Sequence, residues 1–379
     1  MYIQSEESGE KMAFKYGLTD FRDKNFFLSA RKICEKAQKS SSTLSEALQK
    51  CEGLFPTYAL KIFELVDIEK TKSLLQSPGE YSEVSKQSSF LLSQWNFIKN
   101  STNFLKEKID NPLNSTLLLG VPSLKGVLTV NDLLVDRLVA AKDRQLKMDI
   151  FSFAEKYQNL YDTIVIDPPW SFIGYRDWIT VATQLLKDDG TVLFPLLGNL
   201  TRPSALEDRS KILRYCEALG YDWKMISTSI TYDLPSFEAE ILSRNDIPKV
   251  VWKTADLIEL KLIDKVHSEQ VFIPSSAWSP KSYMSHVIGD VLIEGASNGA
   301  KRKGALLEVP REGPYMESSS SRDQGNLNSN IFTSTGFRFY SADVSKFFDL
   351  LVSTDEQTVC TAITDVEVRK FFLEALNLN

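Results

Sequence analysis

The chain has 379 residues, 43% hydrophobic and 25% charged, an ordinary globular balance with length for two or three domains. No apolar run approaches the roughly 20 residues of a membrane span, and residues 1–17 have no apolar stretch of the secretory kind; a soluble, cytoplasmic protein is expected. A net charge of -6 excludes the basic surplus of a general nucleic-acid binder, and four scattered cysteines with two histidines speak against a disulfide scaffold or a multi-histidine metal site.

Residues 1–110 read as a helical N-terminal domain. Thr43-Leu44-Ser45-Glu46 has the spacing of a capping box, in which each side chain satisfies an orphan backbone donor. Ala59, Ile62, Phe63 and Val66 recur at helical intervals, as do Phe90, Leu91, Trp95 and Ile98.

Residues 111–265 change character. Short apolar runs at 115–120, 132–136 and 161–167 read as strands. The last has consecutive β-branched residues, as in parallel strands buried on both faces. A helix over 178–187, a turn at Asp188-Asp189-Gly190 and a strand over 191–197 follow. Next come a helix over 212–219, ended by Gly220, and strands near 223–232 and 256–262. Such alternation predicts a doubly wound α/β sheet.

Residues 266–379 read as a small mixed α+β region. The stretch at about 294–330 is rich in Gly, Ser, Asn and charge, including Lys301-Arg302-Lys303, and is expected to be a long polar loop. Val344, Phe347, Phe348 and Leu351 share one helical face. A last helix is expected to start at a capping box, Thr364-Asp365-Val366-Glu367, and to bury Phe371, Phe372 and Leu376.

The chemistry is concentrated in Asp167-Pro168-Pro169-Trp170, at the carboxyl end of a predicted strand. Ligands of open α/β sheets bind outside that end. The prolines stiffen the turn and remove donors, which leaves the carbonyls of Asp167 and Pro168 as acceptors. A carboxylate with a backbone carbonyl suits a planar –NH2 group, which offers two hydrogens. Trp170 adds a flat face for a heterocycle.

Here the sequence resembles the S-adenosylmethionine-dependent amino-methyltransferases, which carry Asp-Pro-Pro-Trp after an apolar strand. They include the DNA and messenger-RNA adenine-N6 enzymes. The resemblance covers roughly residues 112–263, about the size of one domain. It implies a Rossmann-like methyltransferase fold, S-adenosylmethionine as cofactor, and catalytic roles for Asp167, Pro168, Pro169 and Trp170. By the same likeness, Gly120, Asp136, Asp149 and Ile150 are expected at the cofactor. Gly120 is the one glycine of a turn that is glycine-rich in the family. The candidate cofactor strand precedes the motif, so the chain resembles an unpermuted relative, unlike the permuted messenger-RNA enzymes. The stretch Tyr232-Asp233-Leu234-Pro235-Ser236-Phe237-Glu238 follows a strand and is a candidate for shaping the substrate pocket. Phe237 and Glu238, in its Pro-x-Phe-Glu segment, are expected at the substrate, or else simply at a strand-to-helix turn.

The expected activity is methylation of an exocyclic amino group, adenine N6 in nucleic acid or a nucleotide first. The alternatives are a transferase acting on a small amine or polyamine, and a non-catalytic scaffold subunit. A polyamine site should gather several acidic residues. The terminal regions are candidates for homo- or hetero-oligomer contacts.

Overall fold

The computed structural model describes residues 24–79, 84–85, 96–109, 114–124, 132–135, 145–146, 153–154, 156–264, 282–288, 291–297, 307–310, 331–333, 335, 337–353 and 356–376. The chain divides into two compact units, one of residues 1–80, 96–232 and 250–275, the other of 81–95, 233–249 and 276–379.

The first unit is built on a seven-stranded sheet. Its strands are β1 (Thr116–Leu119), β2 (Asp132–Val135), β3 (Gln145–Leu146), β4 (Tyr161–Ile166), β5 (Leu186–Leu197), β6 (Tyr221–Thr231) and β7 (Thr254–Leu262). Their spatial order is β3-β2-β1-β4-β5-β7-β6. All neighbours are parallel up to β5, and β7 runs antiparallel to both β5 and β6. β1 is buried along its whole length, as the uninterrupted apolar run predicts for a central parallel strand. Leu117 pairs with Ile164 and Leu119 with Ile166. With Val192, Phe194, Ile258 and Leu260 these residues form the middle of the core. Truncating any of them to alanine removes contacts worth about 2–5 kcal/mol. The chain order reverses between β1 and β4, so their carboxyl ends form the switch point where such sheets bind ligands.

Among the described residues, the sheet is preceded by α1 (Lys24–Lys39), α2 (Leu44–Gln49), α3 (Pro56–Val66) and α4 (Ile68–Gln76). α5 (Lys99–Ile109) follows them. The buried Gln38 amide ties α1 to the next pair, donating to Phe63 O (3.0 Å), Asp67 O (2.8 Å) and Thr71 Oγ1 (2.8 Å). Thr43 caps α2 as expected, accepting from Glu46 N at 3.2 Å. Glu46, however, reaches back to Ser42 N (2.8 Å), one residue earlier than a strict capping box. α3 buries Ala59, Ile62 and Phe63. Phe90, Leu91 and Trp95 of the second stripe lie outside the described residues. Cys34 and Cys51 bring their thiols within 3.7 Å in the buried interior without forming a disulfide.

This helical layer is bonded to loops at one end of the sheet. Ser45 Oγ donates to Val251 O (3.0 Å), just before β7. Leu200 N donates to Glu52 O (3.0 Å), just after β5.

Helices α6 (Phe172–Leu185) and α7 (Ala205–Ala218) connect β4 to β5 and β5 to β6. α6 begins six residues before the predicted start, because Ser171 caps it. The expected turn at Asp188-Asp189-Gly190 is absorbed into β5 as an irregularity. Tyr161 pairs with Leu186, yet Thr163 pairs with Thr191, and Asp189 adopts φ +61 to take up the extra residues.

The second unit has a four-stranded antiparallel sheet, β8 (Ser282–Ile288), β9 (Val291–Ser297), β10 (Ile331–Thr333) and β11 (Arg338–Phe339), in that order. Its helices are α8 (Ser236–Arg244), α9 (Val344–Ser353), α10 (Glu356–Ala362) and α11 (Val366–Ala375). Val344, Phe347, Phe348 and Leu351 are buried, as the periodicity predicts. Phe372 and Leu376 are buried and Phe371 packs against the same core. The cap of α11 is Asp365, which accepts from Val368 N at 3.0 Å, and not Thr364. β9 continues to Ser297, four residues into the expected polar loop, and most of 298–330 lies outside the described residues.

Candidate active site

Asp167 follows directly on β4, and its N–H continues the parallel ladder by donating to Leu119 O at 3.2 Å. The next residues turn sharply into α6. Ser171 N donates to Pro169 O (2.7 Å), while Ser171 Oγ accepts from Gly174 N (3.1 Å). A Cβ at Gly174 would collide with the Pro169 carbonyl, so this turn closes only over glycine. The Pro169 and Trp170 carbonyls are both engaged, the second by the Arg202 guanidinium. Arg202 is held in turn by Asp208, at 2.9 and 2.7 Å. The Pro168 carbonyl accepts from no described residue. Ser171→Ala is expected to lower stability by about 1 kcal/mol through the lost cap, read as a shifted denaturant midpoint.

Three further residues complete the surroundings of Asp167. Tyr232 O–H donates to Asp167 Oδ1 at 3.0 Å. The Tyr232 ring meets Trp170 edge-on at 5.6 Å and lies 4.8 Å from Phe97. The Lys253 ammonium stands over both rings, 4.3 Å from the centre of Trp170 and 5.2 Å from that of Tyr232. Burial pushes the Asp167 carboxyl up to about 7, against the opposing pull of Lys253 and of hydrogen bonds from Tyr232 and Trp170. Burial, with the neighbouring Asp167 charge, raises the Tyr232 phenol well above its ordinary value. The result is a carboxyl group poised near neutrality, bordered by aromatic rings, at the carboxyl edge of a central parallel strand. Such a group accepts hydrogen bonds from an amine and takes up a proton.

Asp167, Pro168, Pro169 and Trp170 therefore stand together at the switch point, as expected. Gly120 ends the adjoining strand with φ +65, and a Cβ there would stand 2.6 Å from Trp178 Cη2. Packing alone thus accounts for this glycine. Asp136, Asp149 and Ile150 lie outside the described residues. Phe237 and Glu238 open α8 in the second unit, and both are buried. Phe97, Lys253 and Arg202 carry no functional expectation from the sequence, and Tyr232 figures there only as the first residue of the 232–238 stretch expected near the substrate. Tyr232 and Lys253 face each other because they flank the β6–β7 pair, with Tyr232 N donating to Lys253 O at 3.0 Å. Only the strand order brings them to Asp167.

No family model matches the chain, and no curated protein matches its sequence. Solved structures do resemble it. A branched-chain polyamine synthase from Thermus thermophilus, in complex with N4-aminopropylspermidine and 5'-methylthioadenosine, is 14% identical. The match covers 62% of this chain and 88% of that one, with a TM-score of 0.45. A 16S rRNA N2 methyltransferase from the same organism, in complex with AdoMet and guanosine, is 10% identical. That match covers 56% of this chain and 51% of the other, with a TM-score of 0.28. Likeness at this level is of fold alone, and the strand order carries the assignment. The fold is Rossmann-like, an open doubly wound sheet with one antiparallel strand. Among the described residues, no helix is long and apolar enough to cross a membrane.

Proposed function

We propose that the chain is an S-adenosylmethionine-dependent N-methyltransferase acting on an exocyclic amino group of an aromatic ring, with adenine N6 of a nucleic acid or nucleotide as the best-fitting acceptor. One observation carries this reading: Asp167 stands at the switch point, bonded to Tyr232 and close to the Trp170 ring, beside the Pro168 carbonyl, which accepts from no described residue. The Asp167 carboxylate and the Pro168 carbonyl each accept one hydrogen of the amine and aim its lone pair. Trp170 lies under the ring. The Asp167 carboxylate would balance the charge of a sulfonium donor. When bound, that sulfonium supplies a methyl group that needs no further activation.

Positioning then supplies most of the acceleration. As the nitrogen–carbon bond forms and the sulfur–carbon bond breaks, positive charge develops on the amine. Asp167 stabilises that charge and accepts the proton that the amine releases. Gly120, Asp136, Asp149 and Ile150 are the proposed cofactor contacts. A base in a duplex must first be flipped out, so single strands or nucleotides are the favoured acceptors.

Aminopropyl transfer to a polyamine is the rival. A polycation calls for several carboxylates, whereas the charged group facing Asp167 in the sheet unit is an ammonium. The full chain is incubated with methyl-labelled S-adenosylmethionine and adenine nucleotides, single-stranded DNA, single-stranded RNA or spermidine. Label in an adenine acceptor is the expected result. Label only in spermidine, or aminopropyl transfer from the decarboxylated donor, replaces this reading with the rival. A folded chain that neither binds the donor nor transfers label is a scaffold subunit.

A further inference from the structure

Among the described residues, Lys253 is the one cation that acts directly on Asp167. Its place is fixed by the fold. The Lys253 carbonyl accepts from Tyr232 N at 3.0 Å, at the mouth of the β6–β7 pair, and Tyr232 O–H closes the circuit to Asp167 Oδ1 at 3.0 Å. The ammonium itself rests on the two rings that border the carboxyl group. One residue thus touches, by backbone or side chain, both aromatic walls of the site and supplies positive potential to its acid.

We propose that Lys253 is a positioning residue, whose ammonium holds Asp167 in its carboxylate form and fixes the Trp170 and Tyr232 rings about it. This deepens the N-methyltransferase reading and rests on it for its catalytic meaning, since only an ionised Asp167 accepts both a hydrogen bond and a proton from an amine. The ammonium's place over both rings, with Tyr232 bonded to Asp167, carries the electrostatic role beside the opposing pull of Lys253 on the carboxyl. The other groups facing Asp167 cannot replace Lys253. Trp170, from the motif, contributes a neutral hydrogen bond, and so does Tyr232 at the end of β6. Tyr175, from α6, has a phenol raised by burial and by Asp167 itself, and the cations that act on it are Arg202 and Arg209.

The test needs neither donor nor acceptor. The full chain is labelled with carboxyl-13C aspartate, and the Asp167 resonance is identified by its loss in Asp167→Asn. Its pH midpoint is compared in wild type, Lys253→Met, Lys253→Gln and Lys253→Arg. The midpoint is expected to rise by about one pH unit, a tenfold change in the ionisation constant, in the two neutral variants. Arginine should restore most of the wild-type value. Having two neutral variants covers the failure of one to fold. An Asp167 resonance that titrates at the same pH in wild type and a folded neutral variant, or in none of them between about pH 4 and 10, overturns the proposal. The two readings fail separately. A shifted midpoint without methyl transfer keeps the role of Lys253 and removes the enzyme assignment. Methyl transfer with an unshifted midpoint does the reverse.

Discussion

Asp167→Asn is expected to reduce methyl transfer by about 10²–10³-fold while leaving the protein folded. Asparagine keeps the size of the side chain and an oxygen for the Tyr232 hydroxyl, which now donates at 3.0 Å. It loses the negative charge that stabilises the developing ammonium, and it cannot take up a proton. The pH dependence separates this from a structural effect. The Asp167 carboxyl lies at about 7 because burial disfavours its charged form. Wild-type kcat/KM, which reports the free enzyme, should therefore rise with pH through about 7, and the rise should vanish in the variant. Stability should move the other way. A carboxyl raised in the folded state binds its proton more tightly there than in the unfolded chain. Its contribution is fully present below the ordinary carboxylate value and is lost as pH climbs through about 7. Asparagine never ionises, so the variant should melt at least as high as wild type at about pH 8, with no such relative gain at about pH 4. A variant that is inactive and also destabilised at both pH values would make Asp167 a structural residue.

Much of the sheet could be read locally, because a buried parallel strand leaves a local trace. The apolar runs at β1 and β4 and the one in β5 are such traces, and Asp167-Pro168-Pro169-Trp170 stands where a strand ends. What failed to show locally has identifiable causes. The first turn of α6 holds Phe172, Ile173 and Gly174, a weak helical pattern, and its real signal is the single Ser171 cap. Asp188-Asp189-Gly190 has turn chemistry, but the sheet uses its positive φ for an irregularity within β5. Asp365 out-competes Thr364 as a cap because both belong to the same stretch and only the backbone path decides between them. The site showed the larger gap. Tyr232 and Lys253 are 21 positions apart, counted along the sequence, and neither belongs to a motif that points to Asp167. They converge because β7 inserts antiparallel between β5 and β6, a non-local pairing that no window of sequence reports. Arg202 is similar. Its guanidinium holds the Trp170 carbonyl from a loop that the N-terminal helices secure through Glu52, so its role emerges only once those three segments are assembled.

Gly120→Ala is expected to be a damaging small change near the site, and its cause can be divided experimentally. The backbone there sits at φ +65, a region that costs an L-residue about 1–2 kcal/mol. The added methyl would also stand 2.6 Å from Trp178 Cη2 and 2.9 Å from Cζ3. Overpacking of this kind adds about 1–3 kcal/mol. The total loss should be about 2–5 kcal/mol, measured by denaturant unfolding. Trp178 projects from α6, the helix that the Asp167-Pro168-Pro169-Trp170 turn opens into, so moving the indole strains that turn as well. In a Trp178→Leu background the clash is relieved and only the backbone cost should remain. The coupling between the two substitutions should then be about 1–3 kcal/mol in the relieving direction. An alanine that costs the same in both backgrounds would show that Trp178 is not what this glycine accommodates. The most informative outcome is a well-folded Gly120→Ala protein that no longer binds S-adenosylmethionine. The glycine would then be needed for close approach of the cofactor to the backbone, which packing against Trp178 does not require, and the cofactor would be located at the carboxyl end of β1.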